Sequence, residues 1–433
     1  MLLIVYNFLQ VTLLLCTLPL LTLLACRRKY RGRIWQRLGL GLRRRATTIE
    51  HLPGGKRIWL HCLSVGEVTS ALPLICGLRR QMPAARLIVS VATTTGLRVA
   101  EQRLAPWADL VIAAPLDLRP VVQRFIHVLR PDLFILVETD FWPNWLHCRR
   151  ARNIPAMLVN GRISHQSFAR YQRFRFFFTP LFSFFTLLAM QTASDAAQMR
   201  NFGVPADRIL TLGNLKYAPA GSAEQTAAAQ LDNNTLNLPP ASEIWICGST
   251  HPGEEEILLP AFAALMADHP RLVLLLAPRD PNRAPELSRL ARSLGLDTMR
   301  RSTPQDPPAR ILLLDTLGEL AACYHLARVA FIGGSLVPRG GHNPLEASTR
   351  GVPVLFGPHM EDFTEIAHDL LQCGGALEVR SQGEISAAVH RILADSAFRE
   401  AMRTAASDLV ARQTGIIDRH LAAVTRLLGS GQN

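Results

Sequence analysis

The sequence predicts an α/β protein of two Rossmann-like, doubly wound domains facing a cleft, behind an N-terminal apolar helix, and three observations carry that prediction. Short apolar runs without polar alternation recur between stretches of helix length, as parallel strands covered on both faces require. The pattern stops over 217–242, YAPAGSAEQTAAAQLDNNTLNLPPAS, which is small and polar with a proline pair, and then restarts. The 433 residues, 48% of them hydrophobic, suffice for two cores of ordinary domain size.

The N-terminal element comes first. Residues 2–26 hold no charge and are dominated by Leu, Val, Ile and Phe, long enough as a helix to cross a bilayer. Arg27, Arg28, Lys29, Arg31 and Arg33 follow at once, and the positive-inside rule then keeps the downstream chain on the cytoplasmic side. A cleaved signal peptide is the rival reading, with Leu-Leu-Ala-Cys at 23–26 as a poor lipoprotein box. Signal peptides place their charge before the apolar run, which favours an uncleaved anchor over 1–26. The expected organisation is then a first domain over 27–216, a linker over 217–242 and a second domain over 243–433. Its last helical stretch, near 397–428, is a candidate to cross back onto the first. The eight cysteines form no CxxC pair and no zinc-like cluster, as in a reduced cytosolic body. A net charge of +13 points to an anionic partner, whether nucleic acid, a membrane surface or a phosphorylated substrate.

The expected strands of the first domain are RIWLHCL (57–63), RLIVSVAT (86–93), DLVIAAPL (109–116), PDLFILVET (131–139), PAMLVNGR (155–162), FTLLAMQT (185–192) and RILTLGN (208–214). Those of the second are EIWICGST (243–250), RLVLLLAPR (271–279), RILLLDT (310–316), VAFIGGS (329–335), PVLFGP (353–358) and ALEVRS (376–381). In such sheets ligands meet the loops that follow strands.

Those loops carry the chemistry. GSTHPGEEE (248–256) opens a helix, where free amides could hold a phosphate or where acidic residues could simply suit the dipole. In Ala-Pro-Arg-Asp (277–280) Arg279 stands at a strand's carboxyl end, where a guanidinium could clamp a phosphate or lie solvated at the surface. Glu319 in DTLGEL is equally well read as a helix-dipole carboxylate. IGGSLVPRGGHNPLE (332–346) packs four glycines and two prolines before a helix start. Its glycines would let a nucleotide touch the main chain, with Glu346 as acceptor for a ribose. In the first half Glu67 lies where the first strand gives way to a helix, as general base or as first-turn glutamate. Glu138 and Asp140 end an apolar run, and Lys216 ends the last strand. The segment 170–190 carries seven phenylalanines among arginines, either a surface for lipid headgroups or ordinary core.

HCLSVGEV, VETDFWPN, GNLKY, GSTHPGEEE, APRD, LGEL and GGHNPLEA resemble, in order and spacing, the 3-deoxy-D-manno-octulosonic acid (Kdo) transferases of lipopolysaccharide assembly. The resemblance implies an inverting, metal-independent GT-B transferase that needs no cofactor. It would move Kdo from CMP-Kdo to a lipid A precursor at the cytoplasmic face of the inner membrane, with no nucleic-acid partner. It implies Glu67 as proton acceptor, and Glu138 and Lys216 as transition-state stabilisers. Contacts to CMP would come from Pro278, Arg279, Leu317, Gly318, Glu319, Asn343, Pro344, Leu345 and Glu346. The aromatic content of 174–185 exceeds what the family leads one to expect. A membrane-bound GT-B enzyme using a UDP-sugar and a non-catalytic basic membrane adaptor remain the alternatives. An epimerase of the same fold would need neither acceptor nor anchor.

Overall fold

The computed structural model describes residues 2–26, 34–50, 54–138, 141–218, 231–239, 241–303 and 309–429. Asp140, the basic cluster after residue 26 and half of the expected linker lie outside the described residues. The chain divides into two compact units, one formed by 1–220 with 415–433 and the other by 221–414.

The first unit is built on strands β1 (Arg57–Cys62), β2 (Arg86–Val91), β3 (Leu110–Ala113), β4 (Leu133–Val137), β5 (Ala156–Gly161), β6 (Leu187–Met190) and β7 (Ile209–Thr211). They pair in the order β3-β2-β1-β4-β5-β6-β7, and every pairing is parallel. The central strands are buried along their whole length, which is why their sequences are continuous apolar runs. Chain order reverses between β1 and β4, so the loops after these two strands flank the switch point where such sheets bind ligands.

The second unit repeats the plan with β8 (Glu243–Thr250), β9 (Leu272–Pro278), β10 (Thr298–Arg300), β11 (Ile311–Leu313), β12 (Ala327–Ile332), β13 (Val354–Phe356) and β14 (Ala376–Glu378). The order is β10-β11-β9-β8-β12-β13-β14, again parallel throughout, with its switch between β8 and β12. Edge strand β10 has no counterpart among the expected strands, because Thr-Met-Arg offers one buried apolar side chain and no run.

The domain boundaries shift, the last helix crosses back as expected, and the open reading of 170–190 is decided for core. The final helical stretch is two helices, Ser396–Ala411 and Ile416–Gly429, separated at Gly415, whose φ of +75° is a left-handed conformation that glycine adopts freely. The second of them belongs to the first unit, where Ile417 and Leu421 pack over Gly77 of the helix Val65–Gln81. The second unit therefore ends at Thr414, and it gathers in part of the expected linker, with Leu236 and Leu238 buried. The phenylalanines of 170–190 are mostly core or packed against it, with Phe182 and Phe185 buried and only Phe174 and Phe176 largely exposed.

The helix Leu2–Cys26 forms, and its side chains are described only as far as Thr17. Among the described residues no helix is long and apolar enough to cross a membrane. Its first turns are docked on the first unit by polar groups. Tyr6 Oη donates to Asp117 Oδ2 at 2.9 Å, Asn7 exchanges hydrogen bonds with the buried Asn144, and Gln10 donates to the Asp117 carbonyl at 3.0 Å. Ile4, Phe8, Leu9 and Leu13 remain exposed.

Candidate active site

In the first unit the carboxyl ends of the strands bring together Glu67, Glu138 and Lys216. Glu67 sits in the first turn of the helix that follows β1, only 6% exposed, and its Oε2 accepts from the Leu63 amide. That contact is the helix-start role the sequence offered as one reading; the burial at the switch point is what the catalytic reading needs. Glu138 follows β4 with φ +64°, a left-handed conformation that is uncommon for any residue but glycine and that turns its side chain out of the strand direction. Its Oε1 lies 4.0 Å from Lys216 Nζ and accepts from Asn160 Nδ2 at 3.3 Å. Both carboxylates act on Cys62 at the end of β1, whose thiol is pushed well up by burial first and then by Glu67 and Glu138.

Asn160, at the end of β5, organises this group. It is fully buried, and its Oδ1 accepts from the Leu215 amide at 2.8 Å while its Nδ2 reaches Glu138. One amide side chain thus holds both the catalytic-candidate carboxylate and the turn that carries Lys216. Asn214 adds a second support by accepting from the Lys216 amide at 2.9 Å.

In the second unit the three consecutive glutamates of GSTHPGEEE have three different tasks. Glu256 accepts from the Gly253 amide at 3.0 Å. Glu255, fully buried, pairs with Arg283 at 2.8 Å. Glu254, also fully buried, accepts four main-chain amides: His251 at 2.8 Å, Gly334 at 2.7 Å, Ser335 at 3.0 Å and Leu336 at 2.9 Å. Burial raises its pKa, against the lowering effect of these four bonds. The amides at the first turn of the glycine-rich loop are therefore engaged by the protein's own carboxylate. This corrects the expectation that these glycines open the main chain to a nucleotide. Gly333 is required for another reason: a Cβ there would lie 2.3 Å from the Ser249 carbonyl oxygen, where the two strand ends meet.

Beside this brace, His251 and His342 stack with ring centroids 5.3 Å apart and 6° between planes, their Nε2 atoms 3.0 Å apart. One nitrogen donates and the other accepts, so at least one ring is neutral. Burial, with Arg279 and His251 adding to it, lowers His342 from 6.5 to about 4. His251 is lowered by burial and then by Arg339, Arg279 and Arg283.

The remaining sequence-proposed residues are distributed around the same edge. Pro278 is buried at the end of β9 and Arg279 is exposed just beyond it. Leu317 is 84% exposed and Gly318 has φ +87°, forming a loop tip after β11. Glu319 is paired with Arg301 at 3.0 Å and accepts from Thr316, and its carboxyl is held low chiefly by Arg301. Asn343 Oδ1 accepts from the Leu345 amide at 3.1 Å and starts the one-turn helix Leu345–Ser348 behind Pro344, leaving Glu346 exposed. Among the described residues no group of three His, Cys, Asp or Glu side chains comes together as a metal ion would need.

A family model described as 3-deoxy-D-manno-octulosonic-acid transferase (kdotransferase) matches residues 32–219. The Kdo transferase of Haemophilus influenzae is 34% identical over 414 residues, covering 94% of both chains. The chain belongs to the Kdo transferase family. That of Bordetella pertussis is 31% identical over 424 residues, covering 95% of this chain and 97% of its own. As a member of this family the protein is a glycosyltransferase. Its fold is also that of a UDP-GlcNAc 2-epimerase from Neisseria meningitidis, with TM-score 0.56 at 13% identity over 86% of this chain and 100% of that one. Two parallel-sheet α/β units of this kind are the architecture of GT-B transferases.

Asn160 and Glu254 are the residues that the sequence reading of this transferase passed over. Asn160 carried a signal, an Asn-Gly pair closing an apolar strand, whereas nothing local separates Glu254 from its two neighbours.

Glu254→Ala leaves the buried Gly334 and Ser335 amides without an acceptor, at roughly 1–3 kcal/mol each. Urea unfolding of the second unit is expected to show a loss of at least about 2 kcal/mol, and a smaller one for Glu254→Gln, which keeps an oxygen acceptor. Equal stability of all three proteins would remove the brace. A second expectation concerns pH. With His342 at about 4 in the folded state and 6.5 as its ordinary value, the unfolded chain binds more protons between those limits. Its stabilising contribution is complete above the upper limit and declines as pH falls toward the lower. The melting temperature of wild type is expected to fall more steeply than that of His342→Gln between about pH 7 and about pH 5. Parallel profiles would show that His342 binds its proton alike in the folded and unfolded chain.

Proposed function

We propose that the protein transfers Kdo from CMP-Kdo to a hydroxyl of a lipid A precursor, with inversion and without a metal. The observation that carries the mechanism is the buried Glu67 carboxylate at the β1–β4 switch point, with Glu138 after β4 and Lys216 in the turn after β7, 4.0 Å apart.

In this reading Glu67 takes the proton of the acceptor hydroxyl as its oxygen attacks the anomeric carbon of Kdo. The bond from that carbon to the CMP phosphate oxygen breaks on the opposite side, and CMP leaves with the electron pair. A single displacement of this kind inverts the centre. The Leu63 amide holds one Glu67 oxygen in place and so fixes the carboxylate at the start of its helix. Lys216 supplies positive charge, and Glu138, fixed by Asn160, holds the ammonium in position. Arg279 meets the phosphate of the donor as a planar two-point donor. The exposed Glu346 reaches the ribose, and the tip formed by Leu317 and Gly318 lies against the nucleotide. Glu319 serves that tip through Arg301 and Thr316, and Asn343 shapes the turn that presents Glu346.

In the sequence, the uncharged run 2–26 and the five cationic residues that follow it support a single-pass anchor in the inner membrane, catalytic units on the cytoplasmic side. Such an anchor keeps the enzyme beside a phosphorylated lipid acceptor.

Glu67→Gln is expected to fold and to bind CMP as wild type does while losing turnover by roughly 100- to 10,000-fold, the usual cost of removing a general base. Near-normal turnover with a lowered melting temperature would leave Glu67 as a helix-start residue. The full chain expressed in a Gram-negative host is expected to sediment with inner membranes and to resist carbonate extraction. Release by carbonate would overturn the single-pass anchor.

A further inference from the structure

A pocket of about 500 Å³ opens at the opposite edge of the first sheet from Glu67, Glu138 and Lys216. Its wall includes Pro155, Thr186 and Arg208, which immediately precede β5, β6 and β7, so it lies at the amino ends of these strands. The catalytic candidates follow strands and lie at the carboxyl ends.

The wall is cationic. Arg149, Arg150 and Arg208 all contribute to it, and none of the described residues lining it is acidic. Arg149, in the last turn of the helix Pro143–Arg150, is only 4% exposed. Its Nη1 donates to the Ile154 carbonyl at 2.7 Å, which fixes the plane of the guanidinium, while Nε and Nη2 have no hydrogen-bond partner among the described residues. A buried, unpaired guanidinium is costly, and burial with Arg150 nearby brings its pKa down to about 9. The two exposed arginines face no lining carboxylate either. Arg150 lies over the Phe184 ring at 5.2 Å. Thr186 Oγ1 accepts from the Ala156 amide at 3.1 Å and keeps its own proton to donate. Phe184 and Leu427 give the pocket an apolar side.

A planar fork held by a carbonyl, two further guanidinium groups, a hydroxyl donor and an adjoining apolar wall match one ligand chemistry: a phosphate monoester with a carbon stem. We propose that this pocket is an anion site of that class, separate from the transfer site, which takes either the headgroup of an anionic phospholipid or a water-borne phosphate ester. Three lining guanidinium groups, the absence of a lining carboxylate among the described residues and the apolar flank are independent features that agree.

The test uses the full chain in detergent with saturating CMP, so that phosphate-binding groups of the transfer site are occupied. Calorimetric titrations with inorganic phosphate and with dihexanoyl phosphatidic acid are compared for wild type and Arg150→Gln/Arg208→Gln, both exposed positions whose change leaves the fold and the turnover of Kdo transfer intact. Arg149→Lys, which keeps the charge and removes the fork, is the second variant. Wild type is expected to bind, with affinity reduced at least about tenfold in either variant, as loss of charged two-point contacts implies. Lipid binding at least about tenfold tighter than phosphate binding assigns the headgroup source, and comparable affinities assign the water-borne one. Absence of binding to wild type at millimolar probe, or equal affinity in wild type and both variants, overturns the site. Neither result depends on whether the first unit's carboxylates transfer Kdo.

Discussion

The second unit depends on one carboxylate. Glu254 is buried without exposure and accepts four main-chain amides from two loops, its own after β8 and the glycine-rich one after β12. Each of those amides needs an acceptor once it leaves water, and a single charged group supplies them all. The strand ends can meet only because Gly333 has no Cβ to strike the Ser249 carbonyl, and the turn at Gly334 takes φ +71°. A Cβ on Gly334 would lie 3.3–3.4 Å from both His342 and His251, so the same turn sets the floor beneath the histidine pair. With these amides occupied, what the turn still presents at this edge is side chains.

The first unit solves a parallel problem with a neutral group. Asn160 takes an amide from the Lys216 turn and offers its own NH2 to Glu138, so one buried side chain ties a carboxylate after β4 to an ammonium in the turn after β7. It too has positive φ, at +56°, as does Glu138 at +64°. Non-glycine residues held in that region cluster where surrounding structure over-determines the backbone, and here that structure is the carboxyl edge of the sheet. The two units share no sequence repeat, yet each gathers its polar groups where chain order reverses, because only there do two neighbouring loops lead away from each other and leave room.

Polar docking also settles the N-terminal helix. Asp117 is buried and fully engaged, accepting from Tyr6 and from the amides of Asn144 and Trp145. The helix therefore joins the first unit through specific hydrogen bonds near its start, while its outer face stays apolar. At the other end of the chain Gly415 lets the final helix return to the same unit, where it buries Ile416, Val424 and Leu428.

The sequence by itself determined the strands of both sheets, save β10, because a strand covered on both faces must be apolar along its whole length and so announces itself locally. It determined that Glu67, Glu138, Lys216 and Arg279 stand just past strand ends and that Glu346 stands at a helix start, since that is a matter of counting. What it left open was the task of each polar group. Glu254, Glu255 and Glu256 are indistinguishable in the chain; Glu256 takes the amide of nearby Gly253, while the other two become a four-amide brace and a buried ion pair only when β12 and Arg283 come alongside. Glu319 is drawn to Arg301, and Asn160 acquires its two partners from β4 and from the turn after β7. Periodicity is a property of neighbours along the chain. A carboxylate's role is set by the donors within about 3 Å of it, and folding chooses those from residues far away in sequence.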